Sequence, residues 1–121
     1  MTLSDVKDIL SAKVYSCEDK LDRTVIMACG ADLMSDVLAF AKEKGVLLTG
    51  LVNPQVIRTA EMLDIKAVVF VRGKVPTDEI IALGEERQLV LMSTEIPMYI
   101  ACGKLYTGGL NDGGASDEAS L

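Results

Sequence analysis

Short β-rich apolar runs alternate with longer stretches of helical periodicity along most of this chain, and that alternation limits the fold more than any other feature. The runs are "TVIMAC" (24–29), "VLLTG" (46–50), "AVVFV" (67–71) and "LVLM" (89–92). Each is four to six residues, the length of a buried strand, and the segments between them carry apolar residues at three- and four-residue spacing. Strand and helix in repeated succession, with short links, predict a parallel sheet with right-handed crossovers and helices on the faces. The expected architecture is α/β, a three-layer sandwich around a mostly parallel sheet of four to five strands.

The local punctuation places the elements. Thr2-Leu3-Ser4-Asp5 has capping-box spacing, and Leu3, Val6, Ile9 and Leu10 mark one face of a first helix. "KVYSC" (13–17) alternates as a half-exposed strand does, and Glu18 to Arg23 is a polar surface turn. After Gly30, Asp32 is the expected cap of a helix to Lys44 with Leu33, Val37, Leu38 and Ala41 on its stripe, closed by Gly45 as a C′ glycine. Asn53 caps and Pro54 opens the next helix, which buries Val56, Ile57, Ala60 and Leu63. Pro76 and Thr77 begin a helix to about Arg87, and Ser93 or Thr94 caps a last one carrying Ile96, Met98, Tyr99 and Cys102. From residue 108 the chain turns to glycine, serine and acid, so a single domain over 1–107 and a disordered tail over 108–121 are expected.

Composition narrows the function classes. Half of the 121 residues are apolar, enough for a core without disulfides or metal. The net charge is −6 and the 12 basic residues are scattered, which argues against nucleic acid as a partner. The apolar runs are too short to cross a bilayer and the first residues lack the order of a secretory signal, so no membrane association and a cytoplasmic location are expected. Three cysteines, Cys17, Cys29 and Cys102, spaced 12 and 73 apart, fit a reducing compartment and core packing better than a metal site. No cofactor or metal is expected.

In an open α/β sheet, ligands bind along the strand C-terminal edge near the point where strand order reverses. Four loops lead there: Cys29-Gly30-Ala31-Asp32, Thr49-Gly50-Leu51-Val52-Asn53, Arg72-Gly73-Lys74-Val75 and Ser93-Thr94-Glu95-Ile96. Each opens or caps a helix, whose free N–H groups and dipole favour an anion, and Arg72 and Lys74 supply positive charge. Gly30, Asp32, Thr49, Gly50, Asn53, Arg72, Gly73, Lys74 and Thr94 are therefore the candidate residues for a small phosphate or carboxylate ligand. Glycines and caps are also what any βα loop needs, and neither GxxxxGK[ST] nor GxGxxG is complete. Leu51, Val52, Val75 and Ile96 in the same loops are candidate interface residues, since apolar groups are costly to leave in water; burial against their own loops is the alternative. There is no histidine and no GxSxG. Asp32 and Asp36, one helical turn apart, read as a cap and a solvated acid, and Cys29, beside a helix N-terminus, is the one thiol placed to have a lowered pKa.

From about Val46 to Tyr99 the chain resembles the DRTGG domain family, named for an Asp-Arg pair after a glycine at one strand end and Thr-Gly-Gly at the next. "LLTGLVNPQVI" stands at the first turn and "VVFVRGKVP" at the second. Gly50 and Gly73 match, Leu51 and Val52 replace the acid and the guanidinium, and Val71 and Arg72 replace the threonine and first glycine. The resemblance implies an α/β sandwich similar to the N-terminal domain of HPr kinase without kinase chemistry. Such domains stand beside CBS domains in regulated pyrophosphatases and in some phosphotransacetylases, and similar stand-alone chains occur alongside hydrogenase-type iron-sulfur proteins. The implied role is a non-catalytic regulatory or protein-interaction module, homodimeric or bound to another protein. A nucleotide or phosphate sensor is the alternative, and an enzyme using Cys29 or an aspartate is a third.

Overall fold

The computed structural model describes residues 1–41 and 44–111. Its elements are α1 (Leu3–Leu10), β1 (Lys13–Ser16), a 3-10 turn (Glu18–Lys20), β2 (Met27–Gly30), α2 (Met34–Phe40), β3 (Gly45–Thr49), α3 (Pro54–Met62), β4 (Ala67–Phe70), α4 (Asp78–Glu86), β5 (Val90–Ser93) and α5 (Met98–Thr107). Local chemistry explains most of the boundaries. Thr2 and Asp5 form a reciprocal capping box at α1, and Asn53 and Thr77 accept from the backbone N–H groups of Gln55 and Ile80 at the starts of α3 and α4. Pro54 sits in the first turn, where its missing N–H is no loss.

The sheet order is β1-β5-β4-β3-β2. β2 to β5 are mutually parallel and β1 lies antiparallel on β5, so the architecture is the expected α/β sandwich with one antiparallel edge strand. Because the four parallel strands succeed each other in one direction, crossovers of one hand place α2, α3 and α4 on a single face. Alternate strand residues divide accordingly. Leu47, Val68, Phe70 and Leu91 pack with Val37, Val56, Ile57 and Ile80 on that face, while Val46, Leu48, Val69, Val90 and Met92 pack with Leu3, Val6, Leu10, Ala101 and Leu105 of α1 and α5. All of β3, β4 and β5 is buried, as strands covered on both faces require.

Several expectations are corrected. Strand order never reverses among the parallel strands, so there is no crevice of the topological-switch kind. β2 begins at Met27, and Thr24 forms only an isolated bridge with Thr2. α2 ends at Phe40, Gly45 is the first residue of β3 and not a helix C′ glycine, and residues 42–43 of the expected helix lie outside the described residues. Asp32 does not cap α2: the N-cap is Leu33, with no side-chain bond. Neither Ser93 nor Thr94 caps α5, whose N-cap position is Pro97. Leu110 is buried at 5% exposure in the α1/α5 layer, so packing continues past residue 107; positions 112–121 of the expected tail lie outside the described residues. Among the described residues, no helix is long and apolar enough to cross a membrane.

Candidate functional site

The ends of β2, β3, β4 and β5 are tied into one edge by bonds that continue the ladders into the loops. Ala31 N–H donates to Leu48 O (3.0 Å), Val71 N–H to Thr49 O (3.0 Å) and Thr94 N–H to Phe70 O (2.9 Å). On this edge the Asp32 carboxylate reaches across to the β3–α3 loop, where Oδ1 accepts from Gly50 N–H at 2.7 Å and from the Thr49 hydroxyl at 3.1 Å. Thr49 Oγ1 in turn accepts from Leu51 N–H at 3.1 Å, and Asn53 takes the amides of Gln55 and Val56. The Gly50 and Leu51 amides, at the centre of the turn named for an external anion, are thus bonded internally, and the negative group beside them is the chain's own Asp32.

The β4–α4 loop is closed in a similar way. Arg72 (φ 57°) and Gly73 (φ 74°) are both left-handed and make a tight turn with Lys74 N–H donating to Val71 O at 3.1 Å. Arg72 N–H donates to Ile96 O and Gly73 N–H to Thr94 O, each at 2.9 Å, which fastens the turn to the β5–α5 loop. A Cβ on Gly73 would lie 2.9 Å from Glu95 Oε2, so a second carboxylate packs against that turn.

The candidate residues therefore fall into separate places. Asp32, Gly50 and Arg72 line one depression of 240 Å³, together with Val71, Pro97, Met98 and Tyr99, where α5 crosses to the face opposite α2–α4. Thr49 lies beneath it, fully buried. Gly73 and Thr94 instead border a smaller hollow of 190 Å³ with Lys13, Tyr15 and Ser93. Thr94 is committed to structure, donating to Leu10 O at 2.7 Å and accepting from Ile96 N–H at 3.2 Å. Asn53 is the α3 cap, Lys74 is exposed, and Gly30 lies under α5, where a Cβ would meet Cys102 Sγ at 2.6 Å and Met98 Sδ at 3.0 Å.

Of the candidate interface residues, Leu51 and Val52 are half-buried against the α2–α4 layer and Ile96 against the α1/α5 layer, whereas Val75 is 52% exposed. The larger apolar exposures on this edge are Leu33 (61%), which helical spacing placed on a packed stripe, and Tyr99 (86%). Cys29 and Cys102 are both half-buried. Burial pushes the Cys29 thiol above its ordinary pKa, and Cys102 and Asp36 add to the rise, which corrects the expectation of a lowered value. Among the described residues, no group of three or more histidine, cysteine, aspartate and glutamate side chains is arranged to hold a metal ion.

A larger depression, 360 Å³, opens at the other end of the strands, lined by Arg23, Lys66, Arg87, Glu61 and Asp64 over Ile57, Ile65 and Leu89. Its charges are occupied with one another and with loop ends: Arg87 pairs with Glu61 at 2.9 Å, Lys66 with Asp64 at 3.2 Å, and Arg23 Nη1 donates to Gln88 O at 2.7 Å. These bonds clamp the ends of α3 and α4.

No protein-family model matches the sequence, and no curated protein matches it. The fold is similar to the crystal structure of the CBS and DRTGG domains of the regulatory region of Clostridium perfringens pyrophosphatase, complexed with its activator diadenosine tetraphosphate. The TM-score is 0.71 at 18% sequence identity, over 86% of this chain and 45% of that one. This chain thus spans less than half of that neighbour, and at this identity the likeness is one of fold, an α/β architecture similar to the one seen there.

Proposed function

We propose that this chain is a non-catalytic regulatory module that acts by protein contact through its strand C-terminal edge, with a second copy of itself as the first partner. One observation carries the reading. The Gly50, Leu51 and Gln55 amides of the edge are bonded internally through Asp32, Thr49 and Asn53, while Leu33, Val75 and Tyr99 stand in solvent at 61, 52 and 86% exposure. An edge built that way presents apolar and aromatic groups, the residues enriched at the centres of protein interfaces. The fold neighbour, drawn from the regulatory region of an enzyme, is in keeping with this role. The raised thiol of Cys29 works against the nucleophile reading.

Light scattering after size exclusion, over a range of concentrations, tests it. The expected mass is that of a dimer, shifting to monomer in Leu33→Ser/Tyr99→Ser. A wild-type monomer throughout would overturn self-association, and affinity purification from the native cell would then search for another partner, hydrogenase-type iron-sulfur proteins included. A second reading, a nucleotide sensor, has its own support in the depression between Asp32, Arg72 and Tyr99 and in the dinucleotide bound to the fold neighbour.

A further inference from the structure

The strand-end depression differs in polarity from the site that its loops suggest. A strand, a glycine turn and a capped helix would ordinarily receive a phosphate on free amides. Here Gly50 N–H is already bonded to Asp32, so the depression offers a fixed, solvent-exposed carboxylate, and a second anion beside it would be repelled. Both bonds to Asp32 end on Oδ1, and Oδ2 accepts from no other group among the described residues. A carboxylate is an acceptor only, so the group it selects is a hydrogen-bond donor. Around it the depression is lined by the exposed ring of Tyr99, the apolar Val71, Pro97 and Met98, and the guanidinium-bearing Arg72. At 240 Å³ it lies below the roughly 300–1,000 Å³ of sites that enclose a whole drug-sized ligand, so it takes one ring system and leaves the rest outside.

We infer that this depression binds an amino-substituted nucleobase base-first: the exocyclic amine donates to Asp32, the ring lies against Tyr99, and Arg72 meets the phosphate beyond the sugar. The inference rests on the sensor reading and gives it a ligand class and an orientation. Three features each supply one part of that ligand. The acceptor is held in place by two bonds, the aromatic ring offers a stacking surface for any base, and the one cationic side chain of the depression answers the charged end.

The test is a set of titrations of the full chain followed by amide chemical shifts, with adenosine, purine riboside (the same ring and sugar without the amine), AMP and inorganic phosphate as probes. Adenosine is expected to shift Asp32, Gly50 and Tyr99, and purine riboside to bind roughly tenfold more weakly, the cost of one hydrogen bond to a charged acceptor. AMP is expected to bind more tightly than adenosine in the wild type and equally in Arg72→Ala. Tyr99→Ala, at an exposed position, is expected to weaken adenosine roughly tenfold or more, with Tyr99→Phe close to wild type. Equal binding of adenosine and purine riboside, or unchanged adenosine binding in Asp32→Asn, overturns the inference. Binding of phosphate without adenosine overturns it while leaving an anion sensor standing, and no binding of any of the four at millimolar concentration removes the sensor reading with it.

Discussion

Replacing Gly84 by alanine should destabilise this protein, against the usual effect of that change in a helix. Gly84 lies inside α4 and is buried against the sheet. In a solvated helix interior the substitution gains about 1 kcal/mol. At this position the new methyl would stand 2.6 Å from Leu91 Cδ1, 3.0 Å from Leu91 Cγ and 3.3 Å from Ser16 Oγ, where ordinary carbon contacts are about 3.5–4.0 Å. Something must therefore move by about 1 Å, and Leu91 is fully buried in a packed layer. Overpacking of this kind costs about 1–3 kcal/mol, and losing the close α4–β5 approach places the cost in the upper part of that range. The net expectation is a loss of about 1–2 kcal/mol. With a urea slope of about 1–3 kcal/mol per molar, the midpoint should fall by roughly 0.3–2 M at unchanged slope. A double-mutant cycle with Leu91→Ala isolates the cause, because the methyl then enters space that the leucine has left and the two costs should fall short of their sum by about 1 kcal/mol or more. A higher midpoint for Gly84→Ala, or strict additivity with Leu91→Ala, would refute the packing argument.

Other expectations follow from single contacts. Ser16 sits where the β1–β5 register shifts, its hydroxyl donating to Leu89 O at 2.7 Å and accepting from Leu91 N–H at 2.9 Å, so Ser16→Ala strands a buried amide and should cost about 1–3 kcal/mol in denaturant unfolding. Bonds from the backbone and hydroxyl of Thr2 hold the Asp5 carboxyl below its ordinary pKa. That contribution is complete above the unfolded-state pKa and is lost as pH falls through the lower folded one, so acid unfolding curves of Asp5→Asn should flatten in that window; identical pH slopes would contradict it. Cys29 should react with iodoacetamide more slowly than free cysteine at pH 7, since burial and neighbouring Asp36 and Cys102 disfavour its thiolate. Alkylation as fast as the free amino acid would reopen the nucleophile reading.

What the sequence made legible was local. The capping box at Thr2 and Asp5, the Asn53-Pro54 start of α3 and the Thr77 cap of α4 each depend on residues within three positions of one another, and each formed. The doubly apolar runs at β3, β4 and β5 likewise announced a sheet covered on both faces. Asp32 shows where that reading stops. By position it is a helix cap, yet its carboxylate bonds to an amide 18 residues away, and nothing in the spacing reveals that competitor. The antiparallel placement of β1 was hidden for the same reason. Leu33 and Leu38 kept helical spacing, but α2 lies beside the edge strand β2, where the sheet is too narrow to cover a whole stripe, and they remain 61 and 43% exposed. Tyr99 sits in a helix with apolar residues on several sides, so periodicity alone did not say which would face water.

The pairing of β1 with β5 also sets a schedule. Ser16 and Leu91 are 75 residues apart, and the helix ahead of β1 shares its layer with α5, later still in the chain. At roughly 5–20 residues per second on the ribosome, the first strand waits about 4–15 s for its partner to be made. In the meantime β2, β3 and β4 can assemble with their crossover helices as neighbours in both sequence and space, and Leu3, Val6 and Leu10 of α1 can meet Val46, Leu48 and Val69 but lack Ala101 and Leu105 of α5. The first strand of this chain is thus among the last to be paired, and its pairing completes the sheet.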